Sequence, residues 1–501
     1  MSSVAELFAD LPVTLPDDAD AIEVGAIHDD SRQITPGSLF IARAGGHTDA
    51  THHIPDAASS GAVAALCDAG AVLPPSRIPV LLTRDLPRIS AALAERFYGN
   101  PSRSLRCVGI TGTNGKTTIA TLTSQLLNAL GVPAGTIGSI AIDTGDSASD
   151  ASLTTPFPIE LSRSLATMRD NGLRGVAMEA SSIALHQHRC AAIEFDVAVF
   201  TNLTGDHLDY HASMDEYASC KAMLFDSLDE AATAIVNIDD PRWRDVAGAT
   251  AARVLTCSAT SDADCVVSIE SSSLDATTLT LTGSWGVLSS TIPLIGAHNA
   301  MNTLQSLCAA WIVATAVHEV TLDQLEFALA SCRAPIGRLE PIVVSPTQDI
   351  RVLVDFAHTD DALASVLRTL RELKPEGSTL TVIFGCGGDR DPSKRPRMGR
   401  VAQELADRIV LTSDNPRSED PLTILDGIAQ GIDDHSNLAI EPDRAMSIRS
   451  TLLNASAGET ILIAGKGHET YQLLPDLDGS VRRIDFSDQE HARNALRERL
   501  A

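Results

Sequence analysis

Residues 106–131 read RCVGITGTNGKTTIATLTSQLLNALG, and no other stretch constrains the fold as strongly. RCVGI has the apolar make-up of a buried strand. TIATLTSQLLNALG carries apolar residues at helical spacing and stops at Gly131, as a helix does. A strand that turns through glycines straight into a helix is half of a βαβ unit, and it calls for a parallel sheet. The turn, Gly109 to Thr118, departs from the usual phosphate-loop spelling G-x-x-x-x-G-K-[ST]. That spelling needs a glycine where Ile110 stands; Gly112 is too close and Gly109 one residue too far. Gly112 and Gly115 still let backbone N–H groups converge on phosphate oxygens, and the helix behind them adds its dipole. Lys116 is placed to reach the β- and γ-phosphates, and Thr117 carries a hydroxyl suited to Mg²⁺. The plainer alternative is a glycine turn with a solvated lysine; the strand before and the helix after favour phosphate.

The rest of the chain repeats the alternation. SLFIA, VAALC and IPVLLT read as strands, and HIPDAASSGA and LPRISAALAERFYG as helices, ahead of a GNPSRS junction. GVAMEA, FDVAVFTNL and AAIVNI are further strands after the loop. A β-rich stretch near 264–295 precedes the helix AMNTLQSLCAAWIVATA, and RVLVDF, LTVIFG, RIVLTS and TILIAG form a third α/β block. At 501 residues three domains are the natural division, and 44% hydrophobic residues are ample for their cores. The net charge of −27 argues against nucleic acid or an anionic membrane as partner, although one local basic pocket would suffice for an anionic substrate. Nine scattered cysteines without C-x-x-C make a disulfide framework unexpected. With no signal-like start and no long apolar run, a cytoplasmic protein without membrane insertion is expected.

TGTNGKTT resembles the nucleotide loop of the Mur ligases, ATP-dependent enzymes that join amino acids to a peptidoglycan precursor. The remaining motifs follow in that family's order over nearly the whole chain. The match is nearest the branch that adds the third residue of the stem peptide. The resemblance implies an α/β protein of three domains. They are a UDP-binding N-terminal domain (1–102), a central P-loop parallel-sheet ATPase (103–336) and a C-terminal Rossmann-like domain (337–501). ATP and Mg²⁺ are the implied cofactors. The implied reaction phosphorylates the D-glutamate carboxylate of UDP-MurNAc-L-Ala-D-Glu, and the amine of meso-diaminopimelate then displaces phosphate. These small molecules are the expected partners, and a monomer is the expected state.

The resemblance also distributes roles. Gly112, Thr113, Asn114, Gly115, Lys116, Thr117 and Thr118 would cradle ATP. MEASS ends a strand with Glu179. Alone such a glutamate is more often structural; downstream of a phosphate loop it reads as a metal ligand. In TNLTGDHLDYH, His207 and His211 stand four apart, but no third ligand set completes a zinc site. The family places His207 near ATP and the metal, and Asp206 in the hydrogen-bond network around it. Lys221 in ASCKAMLFD reads unaided as a surface lysine; in the family it carries a carbamate, an anion that binds Mg²⁺ beside Thr117 and Glu179. His298 and Asn299 in GAHNAMN, and Asp355 and His358 in VDFAHTDDAL, would close on the nucleotide. Arg338 would stabilise the transferring phosphoryl group.

Acceptor contacts are implied at Asp29, Ser31, Gly46, His47, Thr48, Thr154, Thr155, Ser181, Gln187 and Arg189. FGCGGDRDPSKRP and the residue after it gather Arg390, Lys394, Arg395 and Arg397, a basic cluster that suggests an anionic ligand in so acidic a chain. DNPR (Asp414, Asn415, Pro416, Arg417) is the specificity signal. Diaminopimelate carries a distal carboxylate that an arginine grips bidentately, whereas a lysine substrate would present an ammonium. Gly465 and Glu469 would meet the same distal head. Ala50, Ile183, Gly205, Phe356 and Asp360 depart from the family's usual residues. Alternatives are the same mechanism with L-lysine or another glutamyl acceptor, and a non-catalytic ATP binder.

Overall fold

The computed structural model describes residues 2–43, 49–151, 153–207, 210–476 and 478–501. Three main sheets carry the chain. The first has five strands in the order Val13–Thr14, Val80–Thr83, Ala62–Asp68, Ser38–Ala42, Ala26–His28, parallel except for the outermost Val13–Thr14. The helix Leu86–Phe97 starts at Asp85, whose side chain accepts the Arg88 N–H, and packs Leu86, Ile89 and Leu93 into a core with Leu39, Leu66 and Leu81. Ile159, from the start of the helix Pro158–Asp170, joins the same core and ties the first sheet to the second. The helix expected over HIPDAASSGA is confined to Ile54–Ser59, behind a 3₁₀ turn at Ala50–His53.

The second sheet has 11 strands. Its middle is parallel, in the order Ala134–Ile137, Gly175–Glu179, Arg106–Thr111, Val197–Phe200, Thr233–Asn237, Arg253–Ser258, Cys265–Ser272. Both flanks are antiparallel, so the parallel sheet expected from the βαβ pattern is present and is extended at its edges. The reason is local: the β-rich stretch before the helix Ala297–Thr315 forms hairpins, which need no crossover helix and extend the sheet edge. The helices Lys116–Ala129 and Ala297–Thr315 share one core through Leu122, Leu126, Leu304 and Leu307. The strands ending at Glu179, Thr111 and Phe200 are parallel neighbours, so their carboxyl ends open on one edge. In parallel sheets that edge is where ligands sit.

The third sheet has the order Glu340–Pro341, Arg351–Asp355, Thr460–Ala464, Leu380–Phe384, Arg408–Leu411, Leu438–Ile440, with only its first pair antiparallel. The strand formed last in the chain, Thr460–Ala464, lies between the second and third of this sheet, Arg351–Asp355 and Leu380–Phe384. Its loop therefore emerges beside those that follow Asp355 and Phe384. An α/β protein with a loop-bearing parallel sheet in each block is the architecture expected. Among the described residues no helix is long and apolar enough to cross a membrane.

Candidate active site

The carboxyl ends of the second and third sheets face one another across a cleft of about 1330 Å³. Its floor is the glycine loop. Gly112 has φ +149°, and a Cβ there would fall 1.8 Å from Thr201 Oγ1. Gly115 has φ +88°, and a Cβ there would meet Asn302 Oδ1 at 2.6 Å. Both positions therefore require glycine for backbone conformation and for space. Thr113 and Asn114 give their backbone N–H groups to the Asn202 carbonyl and Oδ1 at 2.8 and 3.0 Å, which commits those two donors to the fold.

Two lysines converge beneath the loop. Lys116 Nζ donates to the carbonyls of Gly112 and Thr113 at 2.9 and 2.8 Å. Lys221 Nζ, on the helix Met214–Asp226, donates to the same Gly112 carbonyl at 2.9 Å and lies 4.2 Å from the Tyr217 ring centroid. Lys221 is only 1% exposed, so the surface-lysine reading fails. Burial, reinforced by the charge of Lys116, pushes its amine well below the usual lysine range despite Asp206. Burial also lowers Lys116, against the pull of Glu179 and Asp206.

Glu179 is likewise buried. Its carboxylate accepts the Ser139 N–H at 2.7 Å and the Ser139 hydroxyl at 3.3 Å. Arg338 crosses from the third sheet's block and donates Nη2 to Thr117 Oγ1 at 2.9 Å, with its guanidinium 4.6 Å from the Phe356 ring centroid. Burial lowers Arg338, opposed by Asp355 and Glu179. Asp355 lies behind this contact and accepts the N–H groups of Leu339 and Ala357 at 2.7 and 2.8 Å. Asp206 titrates low: burial alone would raise it, but His207, His358 and Lys116 outweigh that. Burial lowers both His207 and His358.

Thr154, Thr155, Ser181 and Arg189 line one side of the cleft. Arg189 donates to the Thr155 carbonyl at 2.7 Å and twice to Gln187 Oε1, so Gln187 braces the arginine and does not line the cleft. Phe157 is flanked by two guanidiniums, Arg189 at 4.2 Å and Arg43 of the first sheet's block at 5.0 Å. Asp29 ion-pairs with Arg43 at 3.5 Å and lines a separate cavity of about 120 Å³ that reaches Phe157. Ser31 sits in a nearby 3₁₀ turn, Ser31–Gln33. Gly46, His47 and Thr48 lie outside the described residues.

At the far end Asp414, Asn415, Arg417, Arg390, Gly465 and Glu469 line the same cleft. Asn415 Nδ2 donates to Glu469 Oε2 at 2.8 Å, and the fully buried Lys466 donates to that oxygen at 2.9 Å and to Asn415 Oδ1 at 3.1 Å. Arg417 has φ +54° and gives one N–H to the Gly388 carbonyl at 2.7 Å.

Several expected residues stand elsewhere. Asn299 spends its amide on the Ile295 carbonyl and on Asn302, and neither it nor His298 lines the cleft. Burial lowers His298 to about 4. Thr118, Asp355 and Pro416 are also set back from the wall. The basic cluster is only partly free: Arg395 is buried on Glu419 at 2.9 Å, whereas Arg390, Lys394 and Arg397 line the cleft, Arg397 paired there with Asp360 at 2.9 Å. Asp360, a departure from the family, is thus half of an ion pair. Gly205, another, has open space where a Cβ would go. Sequence reasoning missed Ser139, Asn302, Tyr471 and Arg483. Lys466, between Gly465 and Glu469, was missed as well. Arg483 stacks on Tyr471 at 4.2 Å and both line the cleft.

Comparisons with known proteins give the family. The Mur ligase middle domain matches residues 110–310, and the Mur ligase, glutamate ligase domain matches 337–467. The UDP-N-acetylmuramoyl-L-alanyl-D-glutamate--2,6-diaminopimelate ligase of Thermosynechococcus vestitus is 40% identical over 482 residues, 95% of this chain and 94% of that protein. The enzyme of the same name from Chlorobaculum tepidum is 40% identical over 469 residues, 92% and 90% of the two chains. A solved structure of such a ligase superposes with a TM-score of 0.69 at 29% identity, covering 100% of both chains. The MurF ligase of Thermotoga maritima in complex with ADP, at 18% identity, a TM-score of 0.63 and coverage of 97% and 99%, shares the fold.

Proposed function

The chain belongs to the Mur ligase family, and from that premise we propose that it joins meso-2,6-diaminopimelate to the D-glutamate of UDP-MurNAc-L-Ala-D-Glu at the expense of ATP. The observation that carries this reading is the single cleft shared by the glycine loop, the buried Glu179 and Lys221, the Thr155–Arg189 wall and the Asn415–Glu469 pair. The chain spans nearly the whole length of relatives that bear the diaminopimelate name, and it keeps the DNPR sequence.

The residues present fit a nucleotide. Thr113, Asn114, Gly115, Lys116 and Thr117 of the loop line the cleft, and the Lys116 ammonium is held against the Gly112 and Thr113 carbonyls. They fit magnesium on one condition. Glu179 and the Thr117 hydroxyl offer oxygen, but Lys221 as an amine offers no anionic ligand. Its burial, with the charge of Lys116 beside it, shifts the amine toward the unprotonated form, the form that adds to carbon dioxide. The new N–C bond gives a carbamate and releases one proton, turning Lys221 into an oxygen donor. Magnesium, when bound, would neutralise the triphosphate. Lys116 and Arg338 would hold the γ-phosphoryl group while the glutamate carboxylate attacks phosphorus and ADP departs. The amine of diaminopimelate would then attack the acyl phosphate, and inorganic phosphate would leave the tetrahedral adduct. His207, whose basicity burial lowers, lines the same cleft. Arg417 would grip the distal carboxylate, with Glu469 facing the distal ammonium. Thr154, Thr155, Ser181 and Arg189 would hold the dipeptide side of the acceptor, and Asp29, Ser31, Gly46, His47 and Thr48 its UDP-sugar.

Blocks 1–102, 103–336 and 337–501 would act as acceptor, ATP and amino-acid domains of a cytoplasmic monomer with no nucleic-acid partner. The test is phosphate release with acceptor, ATP and Mg²⁺, comparing meso-diaminopimelate with L-lysine. Stimulation by diaminopimelate alone is expected. Stimulation by lysine would overturn the specificity, and silence with both would overturn the acceptor.

A further inference from the structure

Beneath the amino-acid end of the cleft lies an ion pair that takes no part in the chemistry above. Arg444, on the helix Arg444–Leu453, is 1% exposed, and Asp488, the first residue of the helix Asp488–Leu500, is 0% exposed. Arg444 Nε and Nη2 donate to the two Asp488 oxygens at 2.7 Å each. The guanidinium also reaches the Ala464 carbonyl through Nη2 at 3.0 Å and the Ser413 carbonyl through Nη1 at 3.4 Å. Ala464 and Ser413 immediately precede Gly465 and Asp414, where the two amino-acid loops begin.

We infer that Arg444 is a positioning residue that sets the register between those two loops and so governs the affinity for the incoming amino acid. The inference rests on the amino-acid site proposed above. The loops touch: a Cβ at Gly465, where φ is +115°, would come 2.4 Å from Asp414 Oδ2. Gln472 secures the same junction through the Ser413 and Asp414 carbonyls at 3.4 and 2.8 Å. A methionine at 444 would supply volume and a lysine would supply charge. Only a planar fork satisfies a carboxylate and two carbonyls from separate strands. Buried ion pairs seldom stabilise more than apolar pairs of equal volume. What this one adds is therefore geometry: it places Asn415 and Arg417 on one loop at a fixed distance from Glu469 on the other.

The test uses the full chain with two variants. R444M/D488L removes the pair without leaving a buried charge, and R444K keeps the charge but loses the fork. Both are expected to raise KM for diaminopimelate ten-fold or more while KM for ATP and for the acceptor stays within two-fold. Backbone amides of 414, 415, 417 and 465–469 should also exchange hydrogen faster than in the wild type. The exchange readout needs no turnover, so it decides the matter even if the wild type proves inert with diaminopimelate, a result that would strike the proposed reaction instead. Unchanged exchange with an unchanged amino-acid KM would overturn the inference. A parallel rise in all three KM values would reduce Arg444 to a structural residue and overturn it equally. If R444M/D488L does not fold, R444K decides by the same measurements.

Discussion

Replacing Gly112 by alanine tests the geometry of the nucleotide loop most directly. The added Cβ would stand 1.8 Å from Thr201 Oγ1, 3.0 Å from Thr201 Cβ and 3.1 Å from the Asn202 nitrogen. The loop and Thr201 must part by over an ångström before the nearest contact becomes tolerable. Neither side yields easily. Thr201 Oγ1 is bonded to the Asn114 carbonyl at 2.6 Å, inside the loop itself, and the Gly112 carbonyl is held by both lysines. Strained backbone costs roughly 1–3 kcal/mol and overpacking about as much again. A displacement of this size at a reacting group costs on the order of 10²-fold in rate. We therefore expect G112A to weaken ADP binding at least ten-fold by calorimetry, about 1.4 kcal/mol, and to lower kcat about a hundred-fold.

Two further variants separate clash from conformation. Gly131 also has positive φ, +79°, but open space around it, so G131A should cost about 1 kcal/mol of stability and leave ADP binding unchanged. In G112A/T201A the 1.8 Å contact disappears and the 3.0 Å contact to Cβ becomes the nearest, so part of the lost affinity should return. ADP affinity within two-fold of wild type in G112A, or no recovery in G112A/T201A, would refute the steric argument.

K116A should abolish turnover, with residual phosphate release below about 1% of wild type, since it removes a cation from the phosphoryl path. K221A should lose activity and regain part of it with added acetate or formate, which can occupy the carbamate's place; absence of rescue in a folded variant would remove the carbamate role. The depressed Lys221 amine also fixes a pH dependence. The unfolded chain binds a proton at this lysine up to about pH 10.5, while the folded chain gives it up at much lower pH. Stability should therefore rise with pH across that window, and K221M should flatten the rise in a denaturant series. R417K keeps the charge but loses the fork, so KM for diaminopimelate should rise about ten-fold with KM for ATP unchanged.

Much of this was legible because parallel βα units impose local rules. The run 106–131 becomes the strand Arg106–Thr111 and the helix Lys116–Ala129, with its glycines at the positive-φ turn between them. Glu179 was legible for a similar reason, as a strand's last residue beside the loop strand. What stayed hidden depends on contacts between distant segments. Ser139 is an ordinary serine in sequence, yet it is the donor that holds Glu179. Arg395 and Arg390 look alike in a basic run, but Glu419 neutralises the first and leaves the second on the cleft wall. Lys221 shows the limit best. A helical lysine among Ala, Cys and Met carries no mark of its environment. Its chemistry comes from a buried seat beside the Gly112 carbonyl, 109 residues away in sequence, and from the charge of a second lysine on the same carbonyl. Two amines cannot both stay protonated cheaply around one carbonyl in so little water. The fold therefore favours the neutral amine at Lys221, the one that can become an anion, and that preference exists only once both helices have packed.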